Sequence, residues 1–144
     1  MARPQEDLEK HHALVIELLE IFKQENFKIL AVEGLEGLPQ PEPLHNDGYG
    51  DQEDKAPDIY AFDPVRKRYV IGEAKTGVAD LETEHALTQY NVFLDQFHSS
   101  NRSQAVLYII LPSSRVPEFN SLITHYIHPD YWGNIVLVSS SKQP

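Results

Sequence analysis

The chain has 144 residues, a length that predicts one domain, and no cysteine, so disulfides and thiolate zinc sites are excluded. At 41% hydrophobic with 10% aromatic residues it can bury a core and is not a disordered composition. The net charge of −10, from 12 Lys plus Arg against 22 Asp plus Glu, argues against strong non-specific nucleic-acid binding, because phosphate affinity comes mostly from Lys and Arg. No apolar run reaches the length of a membrane span, and the first residues lack the apolar stretch of a signal peptide. A cytoplasmic location and no membrane partner are the expectation.

Residues 7–25 predict an amphipathic helix. Leu8, His11, Leu14, Val15, Leu18, Leu19 and Phe22 share one face, Asp7 suits the helix start, and Asn26 is a C-cap candidate. Residues 27–32 read as a first strand. Residues 34–56 form a long acidic loop with four Gly. Its Asp47, Asp51, Glu53 and Asp54 lack calcium-loop spacing, and the composition is that of a solvated loop. The loop leads into Asp58 and so borders whatever site Asp58 belongs to.

Residues 58–62 and 68–74 are rich in aromatic and β-branched types and flank a turn at Asp63-Pro64-Val65-Arg66-Lys67. Pro64 presets a turn φ, and Asp63 can accept from the backbone just ahead. Pairing about residue 65 sets partner numbers summing to about 130, which puts Asp58 opposite Gly72 or Glu73. Glu73 and Lys75, two apart, share a strand face. Two carboxylates then converge with an ammonium beside them. Such a pair can hold a hard divalent cation, and a lysine can orient an attacking water. Val70, Ile71 and Ala74 mark the second strand as buried, and buried carboxylates are costly unless paired or metal-bound.

Residues 81–98 read as a second helix, with Leu81, Leu87, Tyr90, Phe93, Leu94 and Phe97 on its apolar side. Residues 104–111 are a continuous apolar run, expected for a strand buried on both faces, and Pro112 ends it. Residues 115–127 predict a third helix and 135–138 a last strand. The order is αβββαβαβ.

Pro57-Asp58 followed by Glu73-Ala74-Lys75, set in this order of elements, resembles the signature of the PD-(D/E)XK nuclease superfamily, over roughly residues 7 to 111. The resemblance implies an α/β fold with a restriction-endonuclease-like αβββαβ core, a mixed central sheet flanked by helices, and here an added C-terminal helix and strand. It implies Asp58 and Glu73 as metal ligands, the Ala74 carbonyl as a further ligand, and Lys75 as the group that holds the nucleophilic water or the scissile phosphate. Oxygen ligands favour Mg²⁺ (or Mn²⁺) over zinc. Many members add an acid from the first helix. Glu17, beside the apolar stripe, is the candidate, although the resolvases place theirs about a turn earlier, where this chain has His11 and His12; Glu is otherwise usually a solvated helix residue. Gln89 matches a glutamine that several branches direct at nucleic acid or the metal-bound water; a plain helix-surface role stands beside that.

His125 and His128 are a helical turn apart, but nothing nearby completes a metal site. Arg66, Lys67 and Arg68 form a basic cluster at the hairpin turn, expected to be solvated. The expected function is metal-dependent hydrolysis of DNA, leaving 5′-phosphate and 3′-hydroxyl ends if the resemblance holds, with DNA bound weakly by the isolated domain. A non-catalytic binding or assembly module of the same fold is the alternative. A purely structural ion pair of Asp58 and Lys75 is a third reading. A homodimer is a further expectation, from the large apolar residues Tyr126, Tyr131 and Trp132.

Overall fold

The first helix, α1 (Gln5–Gln24), stops by a mechanism visible in its backbone. Asn26 takes φ 62°, its N–H donates to Lys23 O at 3.1 Å, and Phe27 N–H reaches back to Phe22 O at 3.1 Å. These two bonds satisfy carbonyls that the helix end would orphan, and Phe22 and Phe27 pack edge to face at 5.5 Å across them. The structure, a computed structural model, describes residues 5–46, 48, 53–77, 84–96 and 104–144.

Strands β1 (Lys28–Val32), β2 (Ile59–Asp63) and β3 (Arg68–Ala74) follow, then α2 (Glu84–Leu94), β4 (Val106–Leu111), α3 (Val116–Tyr126) and β5 (Ile135–Ser139). Among the described residues they make an α/β fold around a five-stranded mixed sheet of order β1-β2-β3-β4-β5. The β1, β2 and β3 pairings are antiparallel, and β3, β4 and β5 run parallel. This matches the expected element order. Parts of the predicted second helix, including Leu81 and Phe97, lie outside the described residues, as do Asp47 and Asp51 of the acidic loop.

The turn between β2 and β3 forms as its chemistry requires. Asp63 Oδ1 accepts from Val65 N at 2.9 Å and Arg66 N at 3.1 Å, and Lys67 closes the turn at φ 55°. Arg66 Nη1 lies 3.3 Å from Asp63 Oδ2, so one member of the basic cluster is engaged within the turn itself. The observed register pairs Ile59 with Gly72, a sum of 131.

Two apolar layers sandwich the sheet. On one face α1 packs Leu14, Leu18 and Phe22 against Ile59, Val70 and Ile110. On the other, α2 and α3 pack Tyr90, Phe93 and Phe119 against Ile71, Leu107 and Ile109. Gly72 sets the spacing on the first face. A Cβ there would stand 2.9 Å from Leu18 Cδ2 and 3.1 Å from Phe22 Cζ, so only glycine lets α1 lie this close. Within the acidic loop, Leu44 and Lys55 form an isolated antiparallel bridge, and Gln96 Nε2 donates to His45 O at 3.4 Å, tying the loop to the residues after α2. No helix among the described residues is long and apolar enough to cross a membrane.

Candidate active site

Beyond the last β2–β3 pair, Ile59 with Gly72, the ladder continues through side chains. Asp58 N–H donates to Glu73 Oε1 at 2.9 Å, and Ala74 N–H donates to Asp58 Oδ2 at 2.9 Å. The register ends at Ile59 and Gly72, one step short of Asp58 and Glu73, and these two crosswise bonds tie the pair together at the sheet's end. Lys75, two residues on, joins them: its Nζ lies 3.5 Å from Glu73 Oε2. All three are buried, Asp58 at 5%, Glu73 at 2% and Lys75 at 3% exposure.

Two helices close on this sheet end from opposite sides. From α2, Gln89 Oε1 accepts from Lys75 Nζ at 2.6 Å, and the Tyr90 ring lies 5.6 Å below the same ammonium. From α1, His11 Nε2 stands 3.1 Å from Asp58 Oδ2. Gln89 therefore belongs to the site through Lys75. Ala74 enters through its N–H.

Glu17 goes elsewhere. Its Oε1 accepts from Ser140 Oγ at 2.6 Å and its Oε2 from Ser141 N at 2.8 Å, so it anchors the chain that follows β5. Burial works to raise its pKa, but these hydrogen bonds and the Lys142 charge hold it below the ordinary value. The position on α1 that does meet Asp58 is His11, about two helical turns earlier. His125 and His128 do not converge either: His125 Nδ1 bonds Ser121 O at 2.7 Å, and His128 Nδ1 accepts from Asp130 N at 3.1 Å.

Sequence reasoning missed Glu33. It follows Val32, which pairs with Ile59, so it lies across from Asp58, and Glu33 N–H donates to Asp58 O at 2.9 Å. Its carboxyl also hydrogen-bonds the Asp58 side chain. The signal available was positional: once β1 pairs antiparallel with β2, the residue ending β1 must flank Asp58.

The electrostatics are those of acids sharing one buried space. Burial and then the Asp58 charge push Glu73 well above the usual carboxylate range, with Lys75 offsetting part of the effect. Burial opposes ionisation of Asp58 too, but the hydrogen bond from His11, then Glu33, then the His11 charge and the Ala74 N–H bring its pKa below the ordinary value. Asp58 holds the negative charge, and Glu73 is the readier proton acceptor.

Asp58 and Glu73 match a hard divalent cation in donor chemistry and are buried at the same end of the sheet. Among the described residues, no three His, Asp or Glu side chains are disposed to hold one ion together. A cation gripped by both carboxylates would fill its shell with backbone oxygens, water or a turned side chain. Comparison with known proteins yields no matching family model, no matching curated protein and no matching solved structure.

Proposed function

We propose that this chain is a metal-dependent phosphodiesterase acting on DNA, built on the restriction-endonuclease-like core of the PD-(D/E)XK nucleases. One observation carries the reading: Asp58, Glu73 and Lys75 are buried together at the open end of the β2–β3 hairpin, linked to one another by hydrogen bonds and an ion pair. A structural ion pair needs one acid and one base. Here a second buried carboxylate stands beside the first, which costs stability unless a cation is part of the design.

A bound divalent ion would supply a polarised water and charge neutralisation at the phosphate. Asp58 and Glu73 would hold it. His11 fixes the Asp58 carboxylate through Oδ2. Gln89 and Glu73 hold the Lys75 ammonium between them, ready to orient a water or a phosphate oxygen. Oxygen donors alone favour Mg²⁺; the His11 nitrogen beside Asp58 makes Mn²⁺ a good second choice.

A second reading has its own support. Both carboxylates already accept from backbone N–H groups of the opposite strand, a fully structural use, and the chain is strongly acidic. A binding or assembly module would keep such a site without cutting. The test is Mg²⁺ or Mn²⁺ titration with melting curves, run beside a nuclease assay on linear, single-stranded and branched DNA. The catalytic reading expects a metal-dependent rise in Tm, and cleavage lost in Asp58→Ala and Glu73→Ala. Metal binding without cleavage of any substrate would hand the site to the module reading.

A further inference from the structure

Strand β5 has the composition of an interior strand but the position of an edge. It pairs with β4 on one side, and nothing among the described residues pairs with it on the other. Ser140 N–H donates to Leu111 O, so by alternation the backbone groups of Val136 and Val138 also face β4. Those of Ile135, Leu137 and Ser139 face outward. Edge strands of monomers carry Lys, Pro or a bulge that blocks further pairing. β5 reads Ile-Val-Leu-Val-Ser, with no such device, and its four aliphatic residues are only half-buried. The uncharged run extends from Tyr131 to Ser141 in a chain that is 24% charged. Just ahead of the strand, Trp132 is 41% exposed, and Tyr126, at the end of α3, is 55% exposed.

We infer that β5 is the interface between two copies of this chain, joined edge to edge and antiparallel across a two-fold axis at Leu137. The occupant follows from charge and symmetry. Two copies that each carry −10 can approach only through a neutral strip, and interface cores are depleted of charge. Antiparallel pairing of a strand with itself closes under a two-fold. Centred on Leu137, it places Ile135 opposite the second copy's Ser139 and Leu137 opposite Leu137. These are the residues whose N–H and C=O groups point outward, so the pairing makes about six backbone hydrogen bonds and one continuous sheet. The exposed aliphatic flanks gain burial on both faces at once. The proposal is independent of any catalysis at Asp58.

The test is light scattering over a concentration series, with wild type, Ser139→Pro and Ser139→Lys. Ser139 is exposed and ends the strand, and its N–H does not face β4, so proline there removes an outward donor and spares the β4 ladder. Wild type is expected at twice the 16.4 kDa chain mass, and both variants at the single-chain mass with unchanged far-UV circular dichroism. Residue-resolved amide exchange gives a second readout that does not depend on the variants. In the dimer the amides of Leu137 and Ser139 are protected along with those of Val136 and Val138; in a monomer only the latter pair is. A wild-type monomer at high micromolar concentration, or a dimer that both variants leave intact with Leu137 exchanging freely, would overturn the proposal. The first result would leave the edge to a strand from some other protein.

Discussion

His11 and Asp58, 47 positions apart in sequence, meet at 3.1 Å through Nε2 and Oδ2, and they bring α1 onto the end of a sheet whose opposite face α2 covers. The contact helps hold Asp58 below its ordinary pKa despite burial. A group with a depressed folded pKa adds stability that is present above its unfolded value and is lost as pH falls through the folded one. His11→Ala should therefore destabilise the fold at neutral pH by about 1–3 kcal/mol, the cost of one lost hydrogen bond to a buried carboxylate that keeps its bond from Ala74 N–H. It should also move the acid-unfolding midpoint upward. His11→Gln, which can still donate, should recover part of the loss. Equal acid midpoints for His11→Ala and wild type would show that the contact contributes nothing.

Glu73 runs the opposite way. Its folded pKa is raised, by burial first and by Asp58 second. The protonated form suits the fold, so its contribution is complete below the ordinary Glu value and is lost as pH rises through the elevated one. Glu73→Gln removes that loss. Without metal, the variant should melt above wild type at pH 8, and the gap should narrow toward pH 5. For a chain near this size about 2–4 °C is expected per kcal/mol. A variant that melts below wild type at every pH would refute the argument from repulsion.

Gly72 sets how close α1 lies to the sheet. Gly72→Val would drive branched methyls into Leu18 and Phe22, at a cost of about 1–3 kcal/mol or more for overpacking. The helix must lift, and its His11 must lift with it. The expected result is loss of stability together with an upward shift in the Asp58 titration, followed by NMR of the carboxyl carbon. Lowered stability with Asp58 titrating as in wild type would mean that α1 tilts rather than rises.

Glu17 ties α1 to residues more than 120 positions away. Its depressed pKa means that this tie is present above the ordinary Glu value and weakens in acid. Glu17→Ala should expose the residues after β5 to carboxypeptidase and speed amide exchange at Ser141. Because Ser140 Oγ also accepts from Lys142 N and Gln143 N, the loosening should extend to those amides. Glu17→Ala should leave divalent-cation affinity at Asp58 unchanged. A large fall in that affinity would put Glu17 back at the site.

The hairpin was legible because its determinants are local. Asp63 and Pro64 specify the turn, the turn fixes the register to within one residue, and the register brings Asp58 and Glu73 together. Lys75 follows by strand alternation, and its partner Gln89 was reachable from the resemblance. What the sequence hid are partners set by tertiary packing. His11 looked like one more member of an apolar stripe, and only the seating of α1 on Gly72 turns it toward Asp58. Glu33 carries no motif, and its role depends on β1 pairing with β2 across a long loop. Glu17 was drawn to the site by its place beside the stripe, whereas its partners lie at the other end of the chain.

Trp132 gives the protein a built-in optical probe. It is the one tryptophan in the sequence, its indole N–H donates to Ile127 O at 2.9 Å, and it stands just before the first residue of β5. By register Glu73 is level with Ile109 and Leu137, so Trp132 stands five residues before that level and two strands across the sheet from β3. Its emission should shift to the blue as two copies close over the edge and remain unchanged when a cation is titrated into the carboxylates. Two events that a melting curve would merge can thus be followed separately in one cuvette, without a dye.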